Sequence, residues 1–256
     1  MHFHLPKPLH GWRELAGEVG IIVVGVLIAL AAEQVVETIH WHEKVRAADR
    51  NIDFEVNVQL NSAEETVALS ACAQPFFDAL EGAILRHDKR AIQSVYEAGI
   101  SSTAGPSVTG SGSGMELPYV ARPWRSTAWQ STMSTQVADH IDPIQLAQYG
   151  FIYSGAEKMR EMQQAMIRDY GEVMVGRLPA PPNEFLTSQE LAAAERLRAE
   201  IHDAKAISEG ILTAAAGGIH PGWKPIHRER PEHLRENIQR EIGWCQKSVL
   251  SLRTAT

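Results

Sequence analysis

This chain of 256 residues contains few cysteines and few aromatic residues, and it has no excess of positive charge. Its two cysteines exclude a small disulfide-rich scaffold and a zinc site built from cysteines alone. A formal net charge of −7 argues against a nucleic-acid partner, because nucleic-acid binders neutralise phosphates with Lys and Arg. With 44% hydrophobic and 21% charged residues, the composition is that of a folded chain of one or two domains.

One run of residues is both uncharged and almost wholly apolar. Val19–Ala32 reads VGIIVVGVLIALAA, and flanking apolar residues extend this run to residues 15–36. As a helix, that segment spans roughly 33 Å at about 1.5 Å per residue, which is enough to cross the hydrocarbon core of a bilayer. Glu18 and Glu33 lie near its two ends, where a carboxylate reaches water or lipid headgroups. The sequence therefore predicts a transmembrane helix over residues 15–36.

A cleaved signal peptide is the alternative interpretation of this run. The Ala29-Leu30-Ala31 segment fits the small-x-small pattern of a signal-peptidase site, with cleavage after Ala31, and Lys7 and Arg13 supply a positive segment before it. Against cleavage, Glu18 abuts the apolar run, and the helical periodicity continues past the candidate site. We expect the span to be retained in the mature protein.

The charges around the span favour one orientation. Lys7 and Arg13 precede it, whereas residues 33–43 contain no Lys or Arg. The positive-inside count is nearly balanced over a wider window, which adds Lys44, Arg46 and Arg50. We predict an inner-membrane protein with residues 1–14 as a cytoplasmic tail and the body in the periplasm.

Proline is absent between Pro8 and Pro75, and helical periodicity fills that interval. Apolar residues recur at spacings near three and four, at Ile39, Val45, Ala48, Ile52, Val56, Leu60, Ala63 and Val67. This pattern predicts one helix that leaves the membrane and continues to about Ser70. We expect Pro75 to open a shorter helix, and a further helical stretch to run from Lys89 to about Ala98.

Turn-forming residues divide the rest of the chain. Residues 99–117, which include SSTAGPSVTGSGSG at Ser101–Gly114, are predicted to form a flexible linker that tolerates shortening. Further helices are predicted to begin at Pro123, at Asp142-Pro143, at a Thr187/Glu190 capping box and at Pro231, and the third of them to end at Gly217-Gly218. The predicted fold class is all-α, an N-terminal transmembrane helix continuing into a periplasmic helical bundle in which residues 118–256 pack with residues 37–98.

Patterns for catalysis or metal binding are incomplete. Glu37 and His40 have the Glu-x-x-His spacing of di-iron bundles, but the sequence holds no second copy of that motif. His-x-x-x-His, Cys-x-x-Cys and Gly-x-Ser-x-Gly are absent, and three histidines lie near the C-terminal turn, namely His220, His227 and His233. We expect neither a catalytic residue nor a cofactor nor a metal, and we expect the protein not to be an enzyme.

Two cysteines are the right number for one disulfide if the body lies in an oxidising compartment. Cys72 falls near the end of the long first helix and Cys245 falls in the final helix. A bond between them would tie these two helices together. The alternative is a pair of buried thiols that pack as small apolar groups.

The predicted span carries small residues that let another helix approach closely. Its candidate interaction residues are Gly17, Glu18, Gly20, Gly25 and Ala29, of which Gly25 and Ala29 form a small-x-x-x-small pair. The alternative is that glycine is merely tolerated in a lipid-exposed helix. Trp12 and Trp41 flank the span, where we expect them to anchor it at the lipid interface.

The span also resembles that of a known family. The segment Gly17–Leu30 reads GEVGIIVVGVLIAL and is followed by Glu33-Gln34. It is similar to the GE-x-x-I-I-V-x-G-V-L-I-A-L anchor shared by a family of uncharacterised bacterial proteins, in which a helical extramembrane body follows. The resemblance covers Leu15 to about Arg46. It implies a single-pass protein of the inner membrane of a Gram-negative bacterium, and it supplies no catalytic residues.

Two functions are consistent with these features. The first is a non-catalytic membrane-anchored accessory protein, a subunit of a larger membrane complex, whose partners are membrane lipids and either another membrane protein or a second copy of the chain. The second is a periplasmic helical sensor or ligand-binding module. Because the sequence contains no second apolar run, such a module would have to act through a partner.

Overall fold

The computed structural model describes residues 12–91, 122–174 and 184–254. Its helices are α1 (Trp12–Leu85), α2 (Thr127–Met133), a 3-10 turn (Gln136–His140), α3 (Pro143–Met174), α4 (Glu184–Ala215) and α5 (Leu234–Thr254). No strand occurs among these residues, so the predicted all-α class is confirmed. The predicted linker at 99–117, and the predicted helix beyond Ala91, lie outside the described residues.

The chain divides into two compact units, residues 1–50 and 51–256. In the first unit, α1 carries the apolar run, and its side chains from Ala16 to His40 are exposed. Ile39 was predicted to be the first residue of the periodic apolar face. It is exposed, so the buried face begins later in the helix.

The core of the second unit begins with the periodic residues of α1. Ile52, Val56, Leu60 and Ala63 are each 0–1% exposed, as their spacing of three and four predicts. The same face continues through Phe76, Leu80 and Ile84, and it meets buried residues of α3, α4 and α5 in one hydrophobic cluster. The helical bundle is thus confirmed for this unit.

Helices α3 and α4 form an antiparallel pair. Contacts from the start of α3 to its end reach successively earlier residues of α4: Gln148 meets Ala214, Gly155 meets Ile211, and Asp169 meets Arg196. Gly155 permits the close approach, because a Cβ there would lie 2.8 Å from Ile211 Cγ1. Replacement of Gly155 by a larger residue would push the two helices apart.

The ends of these helices follow the sequence signals. Asp142 accepts the Ile144 N–H at 2.8 Å, so the predicted cap before Pro143 is present. At the other end of the pair, the N–H groups of Gly217 and Gly218 donate to the carbonyls of Ala214 and Thr213. With Gly217 at φ +79°, this is the left-handed helix end that the Gly-Gly pair predicts.

Helices α1 and α5 run in the same direction within the second unit. Cys72 is bonded to Cys245, and just past the end of α1 the Arg86 guanidinium donates to the Leu252 carbonyl of α5 at 2.7 Å. Helix α5 begins at Leu234, three residues after the predicted start at Pro231; Leu234 is buried and Ile238 is half-buried. The last helix is therefore held against the end of α1.

The prediction that Pro75 opens a new helix is wrong, because α1 continues through Pro75 to Leu85. Proline removes the hydrogen bond to the carbonyl four residues earlier, which here belongs to Ala71. Ala71 lies on the exposed side of α1, where solvent can hydrate a carbonyl that lacks this donor. Burial of Phe76 and Phe77 to 2% and 3% exposure offsets the cost of about 3 kcal/mol that proline carries inside a helix.

Two further predicted helix starts, besides the one at Pro231, are displaced. Residues 122–126 are not helical, and α2 begins at Thr127 rather than Pro123 because a buried carboxylate of α1 holds its first N–H groups. The described part of α4 begins at Glu184, so Thr187 and Glu190 lie inside that helix rather than at its cap. Glu190 is 8% exposed and packs inward, so it does not serve as the exposed partner of a capping box.

Candidate functional site

The apolar run of α1 is exposed along its whole length. Within the described residues α1 is the one helix that is long and apolar enough to cross a membrane, and none of its most apolar window is buried. Its large side chains are 49–76% exposed, at Val19, Ile21, Ile22, Val23, Val24, Val26, Leu27, Ile28, Leu30, Val35 and Val36. In water such a surface would be unfavourable, so α1 is a candidate transmembrane helix.

The predicted interaction residues do not all share a face of this helix. At 3.6 residues per turn, Glu18, Gly25 and Ala29 fall within about 40° of one another, whereas Gly20 lies on the opposite side and Gly17 about a quarter turn away. Among the residues that the structure describes, no atom outside the helix lies within 4 Å of a Cβ built on Gly25. Glu18, Gly25 and Ala29 define the anchor face, which carries a carboxylate and two small residues on one side of the helix.

Trp41 lies in a small polar cluster after the apolar run. Its indole N–H donates to Glu37 Oε1 at 3.4 Å, and Lys44 Nζ lies 4.6 Å from the centroid of its ring. The ring of His40 is 6.3 Å away, centroid to centroid. A tryptophan with charged neighbours is typical of the boundary between lipid and water. Trp12 is the first residue of α1, and its side chain lies outside the described residues.

The structure places the two predicted cysteines at disulfide distance. The sulfur atoms of Cys72 and Cys245 are 1.93 Å apart and their Cα atoms 6.3 Å apart, across 173 residues of sequence. Cys72 is 9% exposed and Cys245 is fully buried. Beside them Trp244 packs on Phe76, with ring centroids 5.9 Å apart. The bond therefore lies in the core between α1 and α5.

A buried carboxylate that the sequence analysis did not single out organises the other side of the core. Glu55 of α1 is 6% exposed and accepts the N–H groups of Thr127 and Ala128 at 3.0 and 2.9 Å. The Tyr153 hydroxyl donates to the same carboxylate at 2.9 Å, and the Tyr153 ring stacks on Trp129. Glu55 thus caps α2, whose own N-cap residue, Ser126, makes no side-chain cap.

The phenol of Tyr153 is held in its neutral form. Burial raises the pKa of Tyr153 well above its ordinary value, and the adjacent charge of Glu55 raises it further. The hydroxyl therefore remains a donor to Glu55 throughout the neutral range. One signal could have revealed this site, since Glu55 and Gln59 occupy buried positions of an otherwise apolar helix face.

Arg122 joins two helices at the edge of the core. Its guanidinium lies 2.7 Å from Glu65 of α1 and 2.7 Å from Glu241 of α5. Burial raises the pKa of both carboxyls, while the charge of Arg122 opposes that rise. Because both acids are partly desolvated, this bridge depends on the arginine to keep them ionised.

A second group of charges joins α3 to α4. Asp169 is 1% exposed, and the Arg196 Nε–H donates to it at 2.9 Å. The pKa of Glu200 is raised to about 7, mainly by burial and secondly by the negative charge of Asp169. The positive charges of Arg168 and Arg196 lower it, but by less. Glu200 Oε2 is buried without a hydrogen-bond partner among the described residues.

This environment predicts a stability change with pH. Since the pKa of Glu200 is raised from its ordinary 4.5 to about 7, the folded state binds more protons than the unfolded state between these values. Stability of the native chain should therefore fall as pH rises from about 4.5 to 7. Glu200→Gln should be more stable than the native chain at pH 8 by about 1 kcal/mol, discounted because the carboxyl is only partly buried, and equal to it below pH 4.5. Urea unfolding at several pH values measures this, with the exposed Glu195→Gln as the control. The prediction is contradicted if the free energy of unfolding changes with pH equally in the native chain, Glu200→Gln and Glu195→Gln.

The histidines form no metal centre within the part of the chain that the structure describes. No group of three or more His, Cys, Asp or Glu side chains is arranged to hold a metal there. His220 instead accepts the Gly222 N–H at 3.1 Å on its Nδ1 and lies 6.0 Å from the ring of Trp223. Glu37, beside His40, is engaged by Trp41.

One cleft of about 380 Å³ opens in the second unit. Its walls come from α1 around Asp53 and Asn57, from the first two turns of α3, and from the loop at 222–229 that follows α4. Pockets of this size hold small molecules. A narrower apolar groove of about 270 Å³ lies beside the disulfide, between Pro75 of α1 and Ile242 of α5.

Comparisons of the chain with protein-family models, with curated proteins and with solved structures find no match. The resemblance of Gly17–Leu30 to the bacterial anchor family therefore stays a prediction.

Proposed function

We propose that this protein is a non-catalytic, membrane-anchored accessory protein whose α1 span packs against another membrane helix. The observation that carries the proposal is the anchor face, on which Glu18, Gly25 and Ala29 share one side of an apolar helix. Small residues allow two helix backbones to approach closely in lipid, where packing drives association. The partner is either a different membrane protein or a second copy of the chain.

The charge of Glu18 supports a protein partner rather than lipid alone. A carboxylate near the end of a span is tolerated because it reaches the headgroups, but it gains more from a hydrogen-bond donor on a neighbouring helix. Glu18 lies on the same face as Gly25, so one partner helix would meet both. This combination favours an interface over a lipid-facing surface.

The periplasmic placement of the body is part of the proposal. Disulfides persist in oxidising compartments, and the pair at Cys72 and Cys245 is buried in the second unit. Lys7 and Arg13 precede the span, which favours a cytoplasmic tail at residues 1–14. The inner membrane of a Gram-negative bacterium, which the resemblance of residues 17–30 implies, is consistent with both.

Site-specific photo-crosslinking in native membranes tests this proposal. A photo-reactive residue at Gly25 should give one discrete cross-linked product, because this position faces the partner. Leu27 provides the matched control, since it lies on the opposite side of the same helix turn and should give lipid adducts only. The mass of the product separates a homodimer from a complex with another protein.

The result that would overturn the proposal is equally specific. Equal protein cross-linking at Gly25 and Leu27, or none at either position, would mean that the anchor face is not an interface. A protein that is extracted from membranes by carbonate at high pH would show that α1 does not span the bilayer.

A further inference from the structure

The walls of the 380 Å³ cleft are fixed by hydrogen bonds before any ligand enters. The Tyr149 hydroxyl donates to Asp53 Oδ1 at 2.9 Å and accepts from the Gln145 amide at 2.9 Å. Asn57 Oδ1 accepts the Glu229 N–H at 2.8 Å, which ties the loop to α1. Because these contacts already position the side chains, the cleft needs little reorganisation to bind.

Gln148 supplies an unused acceptor in this wall. Its side chain is 4% exposed, and its amide nitrogen donates to the carbonyls of Ala214 and Lys224, both at 2.8 Å. Those two bonds use both amide hydrogens and fix which way the amide group is turned. Among the described residues no donor reaches its Oε1. A ligand in the cleft that brings an N–H or O–H group can donate to this acceptor.

The charge of the cleft determines which sign of charge a ligand should carry. Three carboxylates line it, at Asp53, Asp142 and Glu229, against one ammonium at Lys224. Three negative charges and one positive charge leave a formal charge of −2 on these four side chains. Such a field attracts a cation and repels an anion. Lys224 is exposed, so its ammonium can extend into water away from an incoming cation.

The remaining wall is apolar. Ile144, Pro225, Ile226 and the ring of Tyr149 line the cleft beside the polar groups. A chain of methylene groups would cover these surfaces, whereas a bare metal ion would leave them wet. The cleft therefore matches a ligand that has both an aliphatic body and a charged donor group.

We propose that this cleft binds a small aliphatic ammonium ion of the diamine or polyamine class, with its N–H groups on Gln148 Oε1 and Asp53 and its methylenes along Ile144 and Pro225. This would give the body a ligand-binding role whether or not the anchor helix has a partner. The two proposals use different residues and can fail separately.

Calorimetric titration of the full chain in mild detergent tests the proposal, with 1,4-diaminobutane as the probe. We expect saturable binding, and no binding of 1,4-butanediol, which has the same chain length but no charge. Asp53→Asn should raise the dissociation constant about tenfold, since it removes one charged hydrogen-bond acceptor while the amide oxygen can still accept from Tyr149. Asp203→Asn on α4 is the matched control, because Asp203 makes the same charge change without lining the cleft.

Three outcomes would overturn the proposal. They are the absence of diamine binding, equal binding of the diol, and an equal loss of affinity in Asp53→Asn and Asp203→Asn, which would indicate nonspecific attraction to a negative surface. Thermal unfolding of each variant without ligand shows whether the cleft is intact. If Asp53→Asn unfolds at a lower temperature, Glu229→Gln provides the second test, because the Glu229 contact to Asn57 runs through its backbone.

Discussion

Reduction of the bond between Cys72 and Cys245 should lower the free energy of unfolding of the body by up to roughly 5 kcal/mol. The bond closes a loop of 173 residues, and in the chain-entropy model the stabilisation grows with loop length. It also holds α5, the last helix of the bundle, against α1. Few single changes in a domain of this size have so large an expected effect.

Urea unfolding with and without dithiothreitol measures this effect. The double variant Cys72→Ala/Cys245→Ala is the matched control, since it should be less stable than the oxidised protein and insensitive to the reductant. Because Cys245 is fully buried and Cys72 is 9% exposed, reduction should be slow in the native protein and fast in denaturant.

Thiol counting on the unreduced, denatured chain provides an independent check. We expect no reactive thiol. Two reactive thiols, together with an unchanged unfolding midpoint in reductant, would remove both the disulfide and the main support for a periplasmic body. Cys72 and Cys245 would then be two buried thiols that pack as small apolar groups, which is the alternative given by the sequence.

Local signals predicted the helices and several of their ends. The period of Ile52, Val56 and Leu60 predicts a buried face, and the structure places all three in the core. The Asp142 cap and the turn at Gly217 are likewise encoded within a few residues. Such features depend on neighbours in sequence, so the sequence is sufficient to find them.

The errors have a common cause, which is that distant residues override local preferences. Pro75 is a strong local signal for a helix start, yet the burial of Phe76 and Phe77 keeps α1 continuous. Pro123 is overridden by Glu55, which lies far away in sequence but caps α2 at Thr127. The cleft could not be predicted for the same reason, because its walls come from three separate segments.

Glu55→Ala should destabilise the body by about 3 kcal/mol, the largest effect we expect from a single side chain. The substitution removes the acceptor of the Thr127 and Ala128 N–H groups and of the Tyr153 hydroxyl. A cap contributes about 1 kcal/mol, and buried donors left without partners cost more. The first turn of α2 should lose its position against α1.

Two milder variants separate the parts of this site. Glu55→Gln keeps one acceptor oxygen and should cost less than Glu55→Ala. Tyr153→Phe removes one hydrogen bond and leaves the cap in place, so its expected cost is about 1 kcal/mol. The exposed Glu161→Ala on α3 is the matched control, and it should stay within about 0.5 kcal/mol of the native chain.

A double-mutant cycle in urea decides whether Glu55 and Tyr153 act as one unit. Once Glu55 is alanine, Tyr153→Phe has no carboxylate bond left to remove, so the two costs should add to more than the cost of the double variant. Strict additivity would mean that the bond at 2.9 Å contributes nothing. A Glu55→Ala protein as stable as the Glu161→Ala control would show that α2 does not depend on this cap, and that the start of the helix at Thr127 has another cause.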